Sequence, residues 1–139
     1  TEACVADDPS GVVPGGHRMP HKPGTGDPGF TGCGNVFNAA LPPGGGTDAF
    51  RAAWTPLLTA IEGFRPGLIV ISAGFDAHAR DPLAQLRLRE SDFAWITSEF
   101  CALAERVCGG RIVSLLEGGY DLEALAGSAA AHVRALMRS

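Results

Sequence analysis

Two short apolar runs set the architecture open to this chain. Leu68-Ile69-Val70-Ile71 is entered from Arg65-Pro66-Gly67, and Ile112-Val113-Ser114-Leu115-Leu116 is entered from Gly109-Gly110-Arg111. Both are short, rich in branched side chains and apolar at odd and even positions alike. A strand of that kind buries both faces, the habit of a parallel sheet covered by helices. The predicted strands are Leu68 to Ser72 and Arg111 to Leu116.

Helical periods surround them. Thr47 and Asp48 can cap a helix that carries Phe50, Ala53, Trp54, Leu57, Leu58 and Ile61, ends near Gly63 and should kink at Pro56. Ser91 caps a second helix striped by Phe93, Ile96, Phe100, Leu103 and Val107, which Gly109-Gly110 stops. A third begins at about Leu122, with Leu125, Ala129, Val133, Leu136 and Met137 facing inward. Helix, strand, helix, strand, helix is an α/β pattern: a parallel sheet with flanking helices and right-handed crossovers. No internal repeat is visible.

Residues 1–46 differ from residues 47–139 and are read as an irregular segment of the same domain. They hold most of the glycine and proline and show little periodicity, so they read as loop with one short strand, Val36 to Leu41. Ser10 to Gly16 is poor strand material, because Pro14 removes a ladder donor and Gly15 and Gly16 weaken pairing. So long a stretch without regular structure is uncommon unless it is functional or lies against further structure.

Charge excludes some partners. A net charge of −4, with no run of Lys or Arg longer than one residue, gives no footprint for nucleic acid or an anionic membrane. No apolar stretch approaches the ~20 residues that span a bilayer, and the N-terminus lacks a signal-peptide pattern. Cys4, Cys33, Cys101 and Cys108 show no C-x-x-C spacing, so they read as reduced thiols and not as a zinc site. A cytoplasmic location follows as the expectation.

The chemistry sits just past the strands. Asp76, in Ser72-Ala73-Gly74-Phe75-Asp76-Ala77-His78, lies where α/β sheets place their ligands, and Glu117-Gly118-Gly119-Tyr120-Asp121 lies beyond the second strand. Two polar strand ends in one sheet can converge on one pocket. Asp76 is a metal ligand, a catalytic acid or a turn cap. Tyr120, the chain's one tyrosine, either donates to an oxygen that gains charge or packs its ring. Glu117 either tunes this site or caps the turn. His17 and His21 would share a face of a helix, but Pro20 and the glycines nearby argue against one. Pro23-Gly24-Thr25-Gly26 lacks the sequence of a phosphate loop, and His132 is a packed or solvent-facing helix residue.

Three motifs in order, PGTG followed by TGCGNVFNAALPPG, then SAGFDAHARDPL, then LEGGYDLEALA, resemble the zinc-dependent deacetylases, a family that includes histone deacetylases and acetylpolyamine amidohydrolases. The resemblance implies a partial arginase/deacetylase-like three-layer fold and hydrolysis of N-acetyl amides, with acetyl-lysine or an acetylated small molecule as substrate. It implies that Asp76 is a Zn²⁺ ligand and that Tyr120 polarises the substrate carbonyl. Leu83, Gly118 and Gly119 would contact substrate, Asp81 would order the loop behind the site beside Glu117, and His78 would be structural. Lys22 stands where the family usually has an aromatic channel residue. The family's His-His pair and its Asp-x-His element, which supply the base and two further zinc ligands, do not occur in these 139 residues. The chain therefore resembles the C-terminal part of a catalytic domain and is expected to be inactive alone. The alternative is a non-catalytic α/β fragment or pseudoenzyme with a structural or association role; a small-ligand or nucleotide-binding domain is a third. Oligomeric state is not indicated.

Overall fold

A computed structural model describes residues 6–18, 27, 29–83 and 85–138, without the side chains of His17 and Arg18. Within them the chain forms β1 (Val13–Arg18), β2 (Val36–Leu41), α1 (Thr47–Phe64), β3 (Ile69–Ala73), α2 (Glu90–Cys108), β4 (Ile112–Leu116) and α3 (Leu122–Leu136). The strands form two parallel pairs, β1 with β2 and β3 with β4. Ile69 lies beside Ile112 and Ala73 beside Leu116, with α2 as the crossover.

The segment read as poor strand material contains β1, and the pairing explains why its composition is tolerated. Val13 donates its N–H to Asn35 O at 2.9 Å, so the amides of alternate residues point at β2. Pro14 falls on the other set, and its missing donor costs the pair nothing. Gly16 serves packing: a β-carbon there would lie 3.1 Å from Trp54 Nε1 on α1.

The helix caps also differ from the reading of the sequence. Gly46 precedes α1 without a side-chain cap bond, and Thr47 Oγ1 donates across to Asp92 Oδ2 at 3.1 Å. At α2 the N-cap is Arg89, not Ser91, and Asp92 Oδ2 accepts the Arg89 N–H at 2.8 Å. One buried carboxylate thus closes the start of α2 and ties it to the start of α1. Gly109 and Gly110, at φ 61° and 73°, end α2 as predicted. α1 continues through Pro56, where Ala52 and Pro56 both face solvent and water can satisfy the freed carbonyl.

The core lies where α1, α2 and β3 meet, with Leu103 and Ala104 sealed and edge-on ring pairs between Trp54 and Phe100 at 5.4 Å and Phe75 and Phe93 at 5.2 Å. On α3 the buried face is turned by about one residue from the predicted one. Ala124, Ser128, His132 and Ala135 are buried, whereas Val133 and Met137 are exposed and Leu125, Ala129 and Leu136 are half-buried. Small residues allow α3 to approach α2 closely, and the aliphatic side chains take the flanks. β3 and β4 bury one face only: Val70, Val113 and Leu115 are 56%, 47% and 57% exposed. Cys101 and Cys108 are buried free thiols and Cys33 an exposed one.

Candidate active site

Backbone pairing brings the two polar strand ends together. Beyond the β3–β4 ladder, Glu117 N donates to Ala73 O at 3.0 Å and Phe75 N donates to Gly118 O at 2.8 Å. This extra rung sets Asp76 against Gly118. A β-carbon on Gly118 would stand 3.2 Å from both Cγ and Oδ2 of Asp76, and one on Gly74 would stand 3.3 Å from its Oδ1. The carboxylate, partly buried, occupies the space that side chains at 74 and 118 would fill.

Gly119 has a different reason to be glycine. Its φ of 146° is open only to a residue without a β-carbon, and a β-carbon there would meet Leu125 Cδ1 at 2.9 Å. Tyr120 follows, 59% exposed, and its N–H donates to Asp81 Oδ2 at 2.8 Å. The other oxygen of Asp81 accepts from Leu83 N at 2.9 Å, and Leu83 itself is exposed. Asp81 is buried, Glu117 is exposed and contributes its backbone rung, and Asp121 caps α3 by accepting from Ala124 N at 2.8 Å.

Two further groups brace the loop. His78 is buried, and its Nδ1 accepts from Arg80 N at 3.1 Å, which puts the imidazole proton on Nε2, facing Glu90 Oε1 at 3.4 Å. That separation is long for a hydrogen bond, so the pair is a loose electrostatic contact. The Glu90 carboxyl is held below the usual range by its own backbone N–H and, more weakly, by His78. Arg80 Nη2 lies 2.8 Å from Glu123 Oε2 and 3.5 Å from Asp121 Oδ2.

Behind β4, His132 bonds both ways. Thr97 Oγ1 donates to Phe93 O at 2.6 Å and lies 2.7 Å from His132 Nδ1, so Nδ1 carries the proton. Nε2, at 2.9 Å from Ser114 Oγ, is then the acceptor. Burial holds this imidazole below its usual range. Of the two readings open for His132, packed or solvent-facing, the structure selects the packed one and adds polar partners on α2 and β4.

The structure thus gathers Asp76, Asp81, Gly118, Gly119 and Tyr120, and it hangs Leu83 from Asp81. The Arg80 contacts and the Thr97–His132–Ser114 chain were not read from the sequence; the spacing of Ala124, Ser128 and His132, four residues apart, was the signal for the second. Cavities of about 310 and 240 Å³ lie elsewhere and contain none of the predicted site residues. His21, Lys22 and the Pro23-Gly24-Thr25-Gly26 motif lie outside the described residues, as does the His17 side chain, while the His17 backbone is strand and not helix. Among the described residues no group of three or more His, Cys, Asp or Glu gathers to hold a metal ion. A hydrolytic zinc site takes three protein ligands, and the described residues alone do not gather such a set.

Parallel strands with an acid beyond one and a Gly-Gly-Tyr turn beyond the next make this an α/β domain, and its likeness to solved histone deacetylase domains places it in the arginase/deacetylase fold class. The family model of the histone deacetylase domain matches residues 1–136, and the chain belongs to that family. It is 39% identical over 136 residues to histone deacetylase 10, chloroplastic, of Oryza sativa subsp. japonica, covering 94% of this chain and 31% of the relative. It is 44% identical over 111 residues to the histone deacetylase-like amidohydrolase of Pseudomonas aeruginosa, covering 73% and 29%. The solved HDA15 HD domain superposes with a TM-score of 0.89 at 28% identity, over 99% of this chain and 40% of that one. The chain therefore spans about a third of the length of these curated relatives.

Proposed function

We propose that this chain is the C-terminal portion of a zinc-dependent amidohydrolase domain that removes acetyl groups from acetyl-lysine or an acetylated small molecule such as an acetylpolyamine. The observation that carries the reading is the rung between Phe75 and Gly118, which sets the Asp76 carboxylate beside the turn that ends in Tyr120. Asp76 would be one zinc ligand, and two more would have to come from outside these residues. Tyr120 would donate its phenolic proton in a hydrogen bond to the acetyl oxygen as it gains charge. Leu83, Gly118 and Gly119 would contact the acylated arm of the substrate. Because one carboxylate holds no hydrolytic zinc and, among the described residues, no paired base stands beside it, the 139-residue chain alone is proposed to be inactive.

The test is a chimera joining the upstream segment of the Pseudomonas amidohydrolase to this chain, assayed on an acetyl-lysine peptide and an acetylpolyamine. Asp76→Asn should lose zinc and turnover together. Tyr120→Phe should keep zinc and lose about two to three orders of magnitude in kcat, the usual cost of removing one oxyanion donor. Equal loss of zinc from both variants would refute the roles. Hydrolysis by the chain alone would refute its proposed inactivity. The second reading, a non-catalytic fragment, is favoured by the lack of a metal-holding group among the described residues; a folded chimera inert on both substrates would support it.

A further inference from the structure

Tyr120 follows two glycines, and its side chain is more than half exposed, so neither the preceding backbone nor burial of the ring fixes where its phenol points. What holds the residue is its amide. That N–H donates at 2.8 Å to a carboxylate 39 positions away in the chain, and the carboxylate is buried. The second oxygen takes Leu83 N at 2.9 Å, in a turn whose middle residue, Pro82, has no N–H to compete. One residue earlier, Arg80 pairs with Asp121 and Glu123, so residues 80 and 81 grip residues 120 and 121 side by side.

From this geometry we infer that Asp81 is the positioning residue for Tyr120: its two oxygens lock the Tyr120 turn to the Leu83 loop, so that the phenol donor and the loop carrying Leu83 keep one fixed relation. The inference rests on the deacetylase reading for its catalytic consequence, and on the two hydrogen bonds alone for the anchor. A carboxylate is needed because both of its oxygens accept. An amide in its place offers one oxygen and turns an NH₂ toward the other N–H. A donor misplaced by about 1 Å can cost on the order of a hundredfold in rate.

Two measurements test it. In the 139-residue chain, amide hydrogen exchange is followed at Tyr120 and Leu83. Asp81→Asn should raise exchange at Tyr120 or at Leu83 by roughly tenfold or more, at whichever amide the new NH₂ faces, while the amides of β3 keep their protection. Unchanged exchange at both Tyr120 and Leu83 would overturn the anchor. In the chimera, Asp81→Asn should lower kcat by about 10- to 100-fold with KM nearly constant, and Asp81→Asn combined with Tyr120→Phe should be no slower than Tyr120→Phe alone. Losses that multiply, or a loss in KM only, would overturn the positioning role. If Tyr120→Phe leaves turnover intact, the deacetylase assignment fails, and the positioning role with it, while the exchange result still decides the anchor. Should Asp81→Asn not fold, Asp81→Glu keeps both acceptors one methylene further out; it should retain part of the protection and of kcat, and full retention of both would overturn the proposal.

Discussion

The open face of the β3–β4 pair should make this chain self-associate, and replacing two of its side chains should abolish that at little cost to folding. In register, Val70 lies beside Val113 and Ser72 beside Leu115, so the face is an apolar patch on two adjoining strands. Covering a fully exposed Val or Leu side chain is worth about 1.5–3 kcal/mol, and Val70 and Leu115 retain 56% and 57% of their exposure, so each has roughly 1 kcal/mol still to gain. A face-to-face pair of chains covers two such residues from each partner. That is about 4 kcal/mol, or close to three orders of magnitude in association constant. Val70→Lys with Leu115→Glu removes this gain and adds charges that resist burial. Exposed-site changes cost at most about 0.5 kcal/mol each, so the thermal midpoint should fall by no more than a few degrees. Sedimentation velocity across a concentration series reads the first quantity and a thermal melt the second. An unchanged association constant would refute the argument, as would a stability loss of 3 kcal/mol or more, which would mean that the face is already covered.

Other predictions concern the interior. Because burial holds His132 below its usual range near 6.5, its contribution to stability is complete above that value and declines as pH falls below it, since the unfolded chain then takes up the proton first. Urea melts should show stability falling by up to about 1.4 kcal/mol per pH unit in that window, and His132→Asn should remove this component. Gly118→Ala should displace the Asp76 carboxylate, which in the chimera would be read as weakened zinc affinity with an unchanged thermal midpoint of the metal-free protein. Phe75→Ala removes a ring that is 4% exposed and packed against Phe93 and His132, and should cost about 3–5 kcal/mol by chemical denaturation. Asp92→Ala should cost about 1–2 kcal/mol, and a double-mutant cycle with Thr47→Ala should show coupling across the bond between them.

The strands and helices from Thr47 onward were legible because each carries a run or stripe long enough to choose its own period. β1 was not, since its tolerance of Pro14 depends on which amides face β2, and that is a fact about the partner strand. The facing of α3 failed for a related reason. Hydrophobicity alone turns Val133 and Met137 inward, but the helix sits close against α2 on its small residues and buries His132 with Thr97 and Ser114. The caps were missed because Thr47 and Asp92 satisfy each other across 45 positions of sequence. Asp76 and Tyr120 were singled out by their motif positions, and the structure places both just beyond the paired strand ends. The Arg80 grip and the twofold use of Asp81 were not, because they exist only once the Asp81 loop and the Tyr120 turn are adjacent.

The parallel pairing of β3 with β4 also sets an order of events during synthesis. Ile69 finds its neighbour Ile112 only after the whole of α2 has been made, and the rung from Phe75 to Gly118 comes later still. Until then a nascent chain carries β3 with an unpaired edge and an uncovered apolar face, a state in which growing polypeptides stick to one another or to chaperones. The Asp76 loop likewise waits, with neither the turn that packs against its carboxylate nor the amide that Asp81 will hold. Ribosomal release before Gly118 would therefore yield a product that has the Asp76 loop and none of the turn that packs against it, and cellular quality control would meet it as an exposed strand.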